Sequence, residues 1–142
     1  MAETYAGRCF CGAVTVEVEG EPLVQGFCHC GDCRGWSAAP VTAYSLWPAA
    51  KVRITAGEDR LTRFTRDGRT VRRSCAHCGG SVLSEQTGHG LIDVYASILS
   101  GFGFAPQAHV HYAERMIDMP DGLPKFRDMP AEAGGSGEML AD

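Results

Sequence analysis

The chain has 142 residues, the length of one domain, and 13 basic against 17 acidic residues give a formal net charge of −4. An acidic balance with no large basic block argues against non-specific nucleic-acid binding, which needs a basic surface. The first ten residues lack the apolar core of a secretory signal, and no apolar run is long enough to span a bilayer. We therefore expect a cytoplasmic protein with reduced cysteines and no membrane partner.

Short strands separated by glycine-rich turns dominate the pattern along the chain. Three valines at alternate positions predict a half-buried strand over residues 13–19. An Asp-Gly pair at 67–68 predicts a two-residue hairpin turn within residues 61–75. Further strands are predicted over 23–28, 40–47, 51–55, 81–85, 91–98 and 109–117. No segment has the periodicity of a long amphipathic helix, so the sequence predicts an all-β domain.

The composition changes from Ala131 onward. The last twelve residues, AEAGGSGEMLAD, are small, acidic and rich in glycine. Such a segment has little apolar surface to bury and is typical of disordered chain. We therefore expect the folded domain to span residues 1–130 and residues 131–142 to form a disordered tail.

Seven cysteines fall into three groups, which are Cys9 and Cys11, then Cys28, Cys30 and Cys33, then Cys75 and Cys78. In a reducing compartment such clusters indicate metal ligands or catalytic thiols rather than disulfides. Cysteines two apart on a strand face the same side, and cysteines three apart in a turn can reach one ion. The simplest partition is four plus three, in which the first and last groups form a closed structural zinc site.

The middle group, Cys28, Cys30 and Cys33, would hold a second zinc ion and leave one coordination position for water or substrate. That is the pattern of a catalytic zinc, so these three residues are the candidate catalytic centre. Iron–sulfur ligation and simple burial of the thiols are alternatives. His29 is an alternative fourth ligand, although strand alternation favours the opposite face for its ring.

The cysteine groups lie in the segments GRCFCGAV at 7–14, CHCGDC at 28–33 and CAHCGGSV at 75–82, and HVHYAERMIDMPDGLPKF follows at 109–126. These segments resemble the glutathione-dependent formaldehyde-activating enzyme family, which also includes centromere protein V. The resemblance covers residues 7–126. The family's closing segment commonly has a tryptophan where this chain has residues 113–116, so the pocket wall is expected to differ.

The resemblance implies a β-tent fold of short antiparallel sheets stapled by two zinc ions, one structural and one beside a glutathione site. It also implies a carbon–sulfur lyase that binds glutathione or its formaldehyde adduct, S-hydroxymethylglutathione, at the three-cysteine site. The alternative is a non-catalytic zinc-binding module for a thiol ligand or a protein partner, because fold does not decide function. A chromatin partner is suggested only by the centromere-protein relative.

Three residues are candidates for binding the substrate. Arg34 directly follows Cys33 and could hold a carboxylate with its planar guanidinium group. Trp36 could line the pocket wall, or belong to the core as buried aromatic residues often do. His109 matches the family's histidine and could give or take a proton near the metal, with a structural histidine as the alternative.

Overall fold

The structure, a computed structural model, describes residues 2–142. The strands are β1 (Thr4–Arg8), β2 (Thr15–Glu19), β3 (Val24–Cys28), β4 (Thr42–Pro48), β5 (Val52–Ala56), β6 (Thr70–Ser74), β7 (Ser81–Gln86), β8 (Leu91–Val94) and β9 (His109–Val110). The α-helix α1 spans Gly31–Ser37, and short 3₁₀ helices span Ala49–Lys51, Glu58–Arg60, Ala96–Ile98, Tyr112–Glu114 and Ala131–Ala133. The all-β class predicted from the sequence is confirmed.

The chain divides into two compact units, each built from separate stretches of sequence. The first unit contains the chain up to Val24 together with Ser45–Phe104, and the second contains Gln25–Tyr44 together with Ala105–Asp142. Among residues 2–142, the structure has no helix of the length and apolarity that a membrane crossing requires.

The first unit contains two antiparallel arrangements of strands. β1, β2 and β5 form one sheet, while β6, β7, β8 and the final residues of β4 pair in that order. The alternating valines of the sequence point inward, because Val14, Val16 and Val18 are all buried in the core of this unit. Full burial of one such side chain contributes about 1.5 kcal/mol or more. Burial of these valines therefore determines which face of β2 packs against the core.

The second unit is built around a parallel strand pair and the only α-helix among residues 2–142. β3 and β9 pair in parallel, with Cys28 opposite Val110. α1 begins after Cys30, whose Sγ accepts a hydrogen bond from the Cys33 amide at 3.2 Å, and it ends at Ala38 in a left-handed conformation. This short helix was not predicted from the sequence. At seven residues it is too short to show a helical period, and such a helix depends on contacts outside itself.

The predicted hairpin over 61–75 differs from the observed structure. Its second arm is strand β6, but β6 pairs along its length with β7. The first arm contributes only isolated bridges, Leu61 with Cys75 and Phe64 with Arg72. The turn is closed by a side chain, since Asp67 Oδ1 accepts hydrogen bonds from the amides of Arg69 and Thr70. The Asp-Gly pair thus marks a turn in a longer loop.

Residues 131–142, predicted to be a disordered tail, form backbone hydrogen bonds in the structure. The amides of Gly135 and Gly137 donate to the carbonyls of Pro130 and Met129, and the Leu140 amide donates to the Lys125 carbonyl. A Cβ on Gly135 would lie 2.1 Å from the Met129 carbonyl oxygen, so this close return of the chain requires glycine. The many small residues here permit tight turns as well as disorder.

The tail's order can be tested by hydrogen exchange. If the observed bonds persist in solution, the amides of Gly137 and Leu140 will exchange at least about tenfold more slowly than in an unfolded peptide. Measurement by NMR or mass spectrometry on the full chain decides the matter. Exchange at the unfolded-peptide rate would support the disordered tail that the composition predicts.

A buried carboxyl group lies on β8 in the first unit. Asp93 is 8% exposed, and its Oδ1 accepts a hydrogen bond from the Ser45 amide at 3.0 Å. Burial raises the pKa of Asp93 to about 7, against an opposing contribution from the Ser45 hydrogen bond and the charge of Arg72. The proton-bound form of Asp93 is therefore favoured in the folded protein.

Replacing Asp93 should change how stability depends on pH. Because the folded pKa is raised, the contribution of Asp93 to the free energy of unfolding is full below about pH 4 and is lost as the pH rises through about 7. Asp93→Asn keeps the acceptor for Ser45 and removes this loss. Between pH 5 and 8, chemical denaturation should show the wild type losing about 3 kcal/mol more than the variant.

The matched control is Asp59→Asn, which makes the same substitution at an exposed position of the same unit. Its pH dependence should follow the wild type. Identical pH dependence in the wild type and in Asp93→Asn would contradict the assignment of Asp93 as a neutral buried acid.

Candidate metal centres

The first and last cysteine groups come together in the first unit. The sulfurs of this cluster all lie within 4.8 Å of one another, and the four residues are Cys9, Cys11, Cys75 and Cys78. Cys11 Sγ is 3.7 Å from Cys9 Sγ and 3.9 Å from Cys75 Sγ. Sulfurs around a tetrahedral zinc ion are about 3.8 Å apart, whereas a disulfide requires about 2.05 Å. The donors and their spacing therefore fit a four-thiolate metal site.

Backbone amides surround the sulfurs of this four-cysteine cluster. Val14 donates to Cys9 Sγ at 3.2 Å, and Gly80 donates to Cys78 Sγ at 3.4 Å. Burial would raise the pKa of Cys9, but hydrogen bonds from the Val14 amide and from Cys11 lower it to about 6. Gly79, at φ 78°, adopts the left-handed backbone of the turn between Cys78 and the Gly80 amide. Hydrogen bonds from the backbone therefore favour the thiolate form at Cys9.

The middle group forms a second cluster in the second unit. The sulfurs of Cys28, Cys30 and Cys33 lie within 4.8 Å of one another. Cys28 ends β3 and is buried, while Cys30 and Cys33, at the start of α1, are half-buried. The end of β3 and the start of α1 thus place three thiols close together. Cys30 and Cys33 remain partly accessible to solvent. Either cysteine cluster could hold a metal ion.

Within the three-cysteine cluster, the pKa values of Cys30 and Cys28 are shifted in opposite directions. The pKa of Cys30 falls to about 2 because Cys28 and Cys33 donate hydrogen bonds to its thiolate, with a further bond from the Cys33 amide. The pKa of Cys28 is raised, chiefly by the same hydrogen bond to Cys30 and by its hydrogen bond to Cys33, with burial adding to the shift. The cluster therefore favours a thiolate at Cys30 over one at Cys28.

His29 lies between two of the clustered cysteines but faces away from them. Its ring is fully buried, and its Nε2 lies 2.8 Å from His109 Nδ1. Burial lowers the pKa of His29 to about 4, and the neighbouring His109 imidazole adds to the shift. Strand alternation accounts for this placement, since successive residues point to opposite faces.

His109, a predicted substrate contact, is fully buried, and both of its ring nitrogens are engaged. Its Nε2 lies 2.7 Å from Asp121 Oδ2, and Asp121 Oδ1 accepts a hydrogen bond from Lys125 Nζ at 2.7 Å. Sequence reasoning missed Asp121 and Lys125. Both belong to the closing segment PDGLPKF, whose resemblance to the family gave a signal for them, but nothing in the sequence places them beside His109.

Arg34, a second predicted substrate contact, forms hydrogen bonds that hold the loop of the three-cysteine cluster in place. Its Nε donates to the His29 carbonyl at 3.1 Å, and its Nη2 donates to the Glu114 carbonyl at 3.2 Å. Glu114 Oε1 in turn accepts from the Gly31 amide at 3.1 Å. Trp36 lies on α1 and is half-buried. Contacts of Arg34 and Trp36 with a substrate remain predictions.

These features define an all-β protein with two cysteine clusters that could each bind a metal ion. Residues 4–114 match the model of the glutathione-dependent formaldehyde-activating enzyme family. The chain therefore belongs to that family, and the matched range contains all seven cysteines.

Individual relatives are more distant. A protein of Talaromyces marneffei with the provisional name glutathione-dependent formaldehyde-activating enzyme is 24% identical over 128 residues, which is 84% of this chain and 68% of that protein. A crystal structure of a Rhodobacter sphaeroides protein superposes with a TM-score of 0.58 at 24% identity, covering 69% of this chain and 90% of the other. At this identity the structural likeness supports the fold alone.

Single cysteine substitutions should distinguish the roles of the two clusters in metal binding and stability. Cys75→Ser removes a ligand from the four-cysteine cluster and should destabilise the protein severely, because the binding energy of such a site is folding energy. Cys30→Ser should lower the bound metal by about one ion per chain with a smaller loss of stability. Metal analysis and thermal unfolding of both variants provide the measurement. Equal metal content in the wild type and in Cys30→Ser would contradict a second site.

Proposed function

We propose that this protein is a zinc-dependent carbon–sulfur lyase that binds glutathione and interconverts free formaldehyde with S-hydroxymethylglutathione. The observation that carries the proposal is the cluster of Cys28, Cys30 and Cys33, which offers three sulfurs and not four. Structural zinc sites are closed by four protein ligands, whereas catalytic sites keep one position for water or substrate. Membership of the family supplies the substrate class.

The donor set of this cluster fits zinc. All three ligands are sulfurs, at separations that one ion can bridge, and the Cys33 amide supports the thiolate of Cys30. When bound there, a zinc ion would supply a position at which a glutathione thiol loses its proton at neutral pH. The four-cysteine cluster would hold a second zinc ion with a structural role.

The proposed reaction is an addition that conserves every atom. The glutathione sulfur bonds to the carbon of formaldehyde, and the π electrons of the carbonyl group move to oxygen. The proton lost by the thiol ends on that oxygen, which gives the hydroxymethyl group. Cleavage of the carbon–sulfur bond in the reverse direction returns the thiol and the aldehyde, so no oxidant or reductant is needed.

Arg34 and Trp36 are the proposed substrate contacts. Arg34 Nη1 lies 3.8 Å from Met116 Sδ, a weak acceptor that a glutathione carboxylate could replace. The other two guanidinium nitrogens stay bound to backbone carbonyls, so the group is held in place before substrate arrives. A fixed cation beside the cluster would offset the negative charge of three thiolates and an anionic tripeptide.

Seven unpaired cysteines support a reducing location. The cytoplasm keeps thiols reduced with glutathione, the proposed substrate. We therefore propose a cytoplasmic protein whose thiol partner is a component of the same compartment.

The activity can be tested by exchange NMR. Zinc-loaded protein at micromolar concentration should accelerate the exchange between glutathione with formaldehyde and S-hydroxymethylglutathione above the rate in buffer. Cys30→Ser should abolish the acceleration, because it removes a ligand of the proposed site. His89→Asn, at an exposed loop position, is the control and should retain it.

Two results would distinguish a lyase from a non-catalytic binding module. A rate equal to that in buffer would remove the lyase activity. Saturable glutathione binding by calorimetry without acceleration would identify a non-catalytic binding module for a thiol ligand.

A further inference from the structure

A chain of polar side chains begins next to the three-cysteine cluster and runs through the second unit; its members are His29, His109, Asp121, Lys125 and Asp142. The consecutive contacts are 2.8, 2.7 and 2.7 Å as far as Lys125, which also pairs with Asp142. Segments far apart in sequence therefore meet on one line of hydrogen bonds.

The inner part of this chain is enclosed by aromatic rings. His29 and His109 are 0% exposed and Lys125 is 1% exposed. Phe27 stacks on His109 at 5.0 Å, and Tyr112 meets His29 edge-on at 4.9 Å. In such surroundings a misdirected hydrogen bond leaves a buried polar group unpaired, which destabilises the fold. The protons along the chain are therefore expected to occupy defined positions.

The carboxylate of Asp121 sets the direction of the hydrogen bonds. One of its oxygens accepts a hydrogen bond from Lys125 Nζ, and because an ionised carboxylate can only accept, the other oxygen accepts a hydrogen bond from His109 Nε2–H. Neutral His109 then offers the lone pair on Nδ1, and His29 must donate from its Nε2. This leaves a lone pair on His29 Nδ1, a buried atom that has no hydrogen-bond partner within residues 2–142.

The opposite arrangement would place an N–H on His29 Nδ1. Buried N–H groups without a partner are rarer in proteins than under-satisfied acceptors, so the arrangement that starts at Asp121 is favoured. It also keeps both buried imidazole rings neutral, which avoids the cost of burying a further charge.

We propose that His109 and Asp121 are positioning residues for the three-cysteine metal site, acting through the ring of His29. The ring is fixed in one tautomer and one direction between Cys28 and Cys30, and the Arg34 bond to the His29 carbonyl holds the backbone at the same residue. With both ring and backbone held, the two flanking thiols converge on Cys33. This inference rests on the proposed metal site but not on the proposed reaction.

The first experiment determines which ring nitrogen of each buried histidine carries the proton. A two-bond proton–nitrogen NMR spectrum of zinc-loaded wild-type protein should show both His29 and His109 as neutral rings protonated at Nε2. A spectrum with the proton on His29 Nδ1 would overturn the proposed arrangement.

The second experiment reverses the tautomers with Asp121→Asn. The side-chain oxygen of asparagine is required by Lys125, so its amide group faces His109 Nε2 and both histidines must move their protons to Nδ1. Competition with a chelator should then show zinc affinity at the three-cysteine site lower by about tenfold to a hundredfold. Affinity at the four-cysteine cluster should be unchanged.

Asp118→Asn is the matched control, because Asp118 has an 80% exposed side chain, pairs with Arg115 and lies outside the chain of hydrogen bonds. It should leave both the tautomers and the zinc affinity as in the wild type. Reversed tautomers in Asp121→Asn with affinity within about twofold of the wild type would overturn the positioning role, given the effect expected of such partners. Histidine tautomers in Asp121→Asn that match those of the wild type would also overturn the proposal.

A third comparison covers the case in which Asp121→Asn does not fold. In His109→Gln, the amide oxygen can accept from His29 and the amide nitrogen can donate to Asp121, so zinc affinity should stay within about threefold of the wild type. His109→Leu can make neither hydrogen bond, so its zinc affinity should be lower than that of the wild type by about tenfold or more. Equal affinities in these two variants would also overturn the role. These readouts use no glutathione or formaldehyde, so they fail or succeed independently of the lyase activity.

Discussion

The crowding of sulfur atoms is the constraint on which this structure depends. Two like charges 4 Å apart repel by about 4 kcal/mol at the effective dielectric constant near a protein surface. Four cysteines meet within 4.8 Å in one cluster and three in the other. Such groups can be thiolates together only if cations and N–H donors compensate the repulsion. The amides of Val14, Gly80 and Cys33 are donors of this kind.

The four-cysteine cluster accounts for much of the architecture of the first unit. Cys9 directly follows β1 and Cys75 directly follows β6, and these strands belong to separate groups of paired strands. Both residues are 1% exposed and belong to the hydrophobic core. A metal bound here would connect the two groups of strands, and so short strands can serve where longer ones would otherwise be needed.

The sequence predicted features that depend on local spacing. Strand β2 follows from its alternating valines, and the two clusters follow from the separation of their cysteines. Two short elements, strand β1 and helix α1, were missed. Strand β1 is only five residues long and gains its order by pairing with β2, while helix α1 depends on the chain around Cys30. Neither produces a periodic pattern that could be read in isolation.

The same distinction applies within the second unit. His29 and Arg34 could be singled out because they adjoin cysteines, yet what their side chains contact could not be foreseen. His29 meets a partner 80 residues away, and Arg34 meets Glu114 80 residues away. Such pairings arise from tertiary folding, and a single sequence shows the residue types without their partners.

The return of residues 136–142 to Lys125 has a practical consequence for handling the protein. Lys125 Nζ is buried between the carboxylates of Asp121 and Asp142, and the Gly122 amide also donates to Asp142. Replacing Asp142 would leave the Lys125 ammonium group with Asp121 as its charged partner. A sequence change or label placed at this position therefore acts on a buried ion pair.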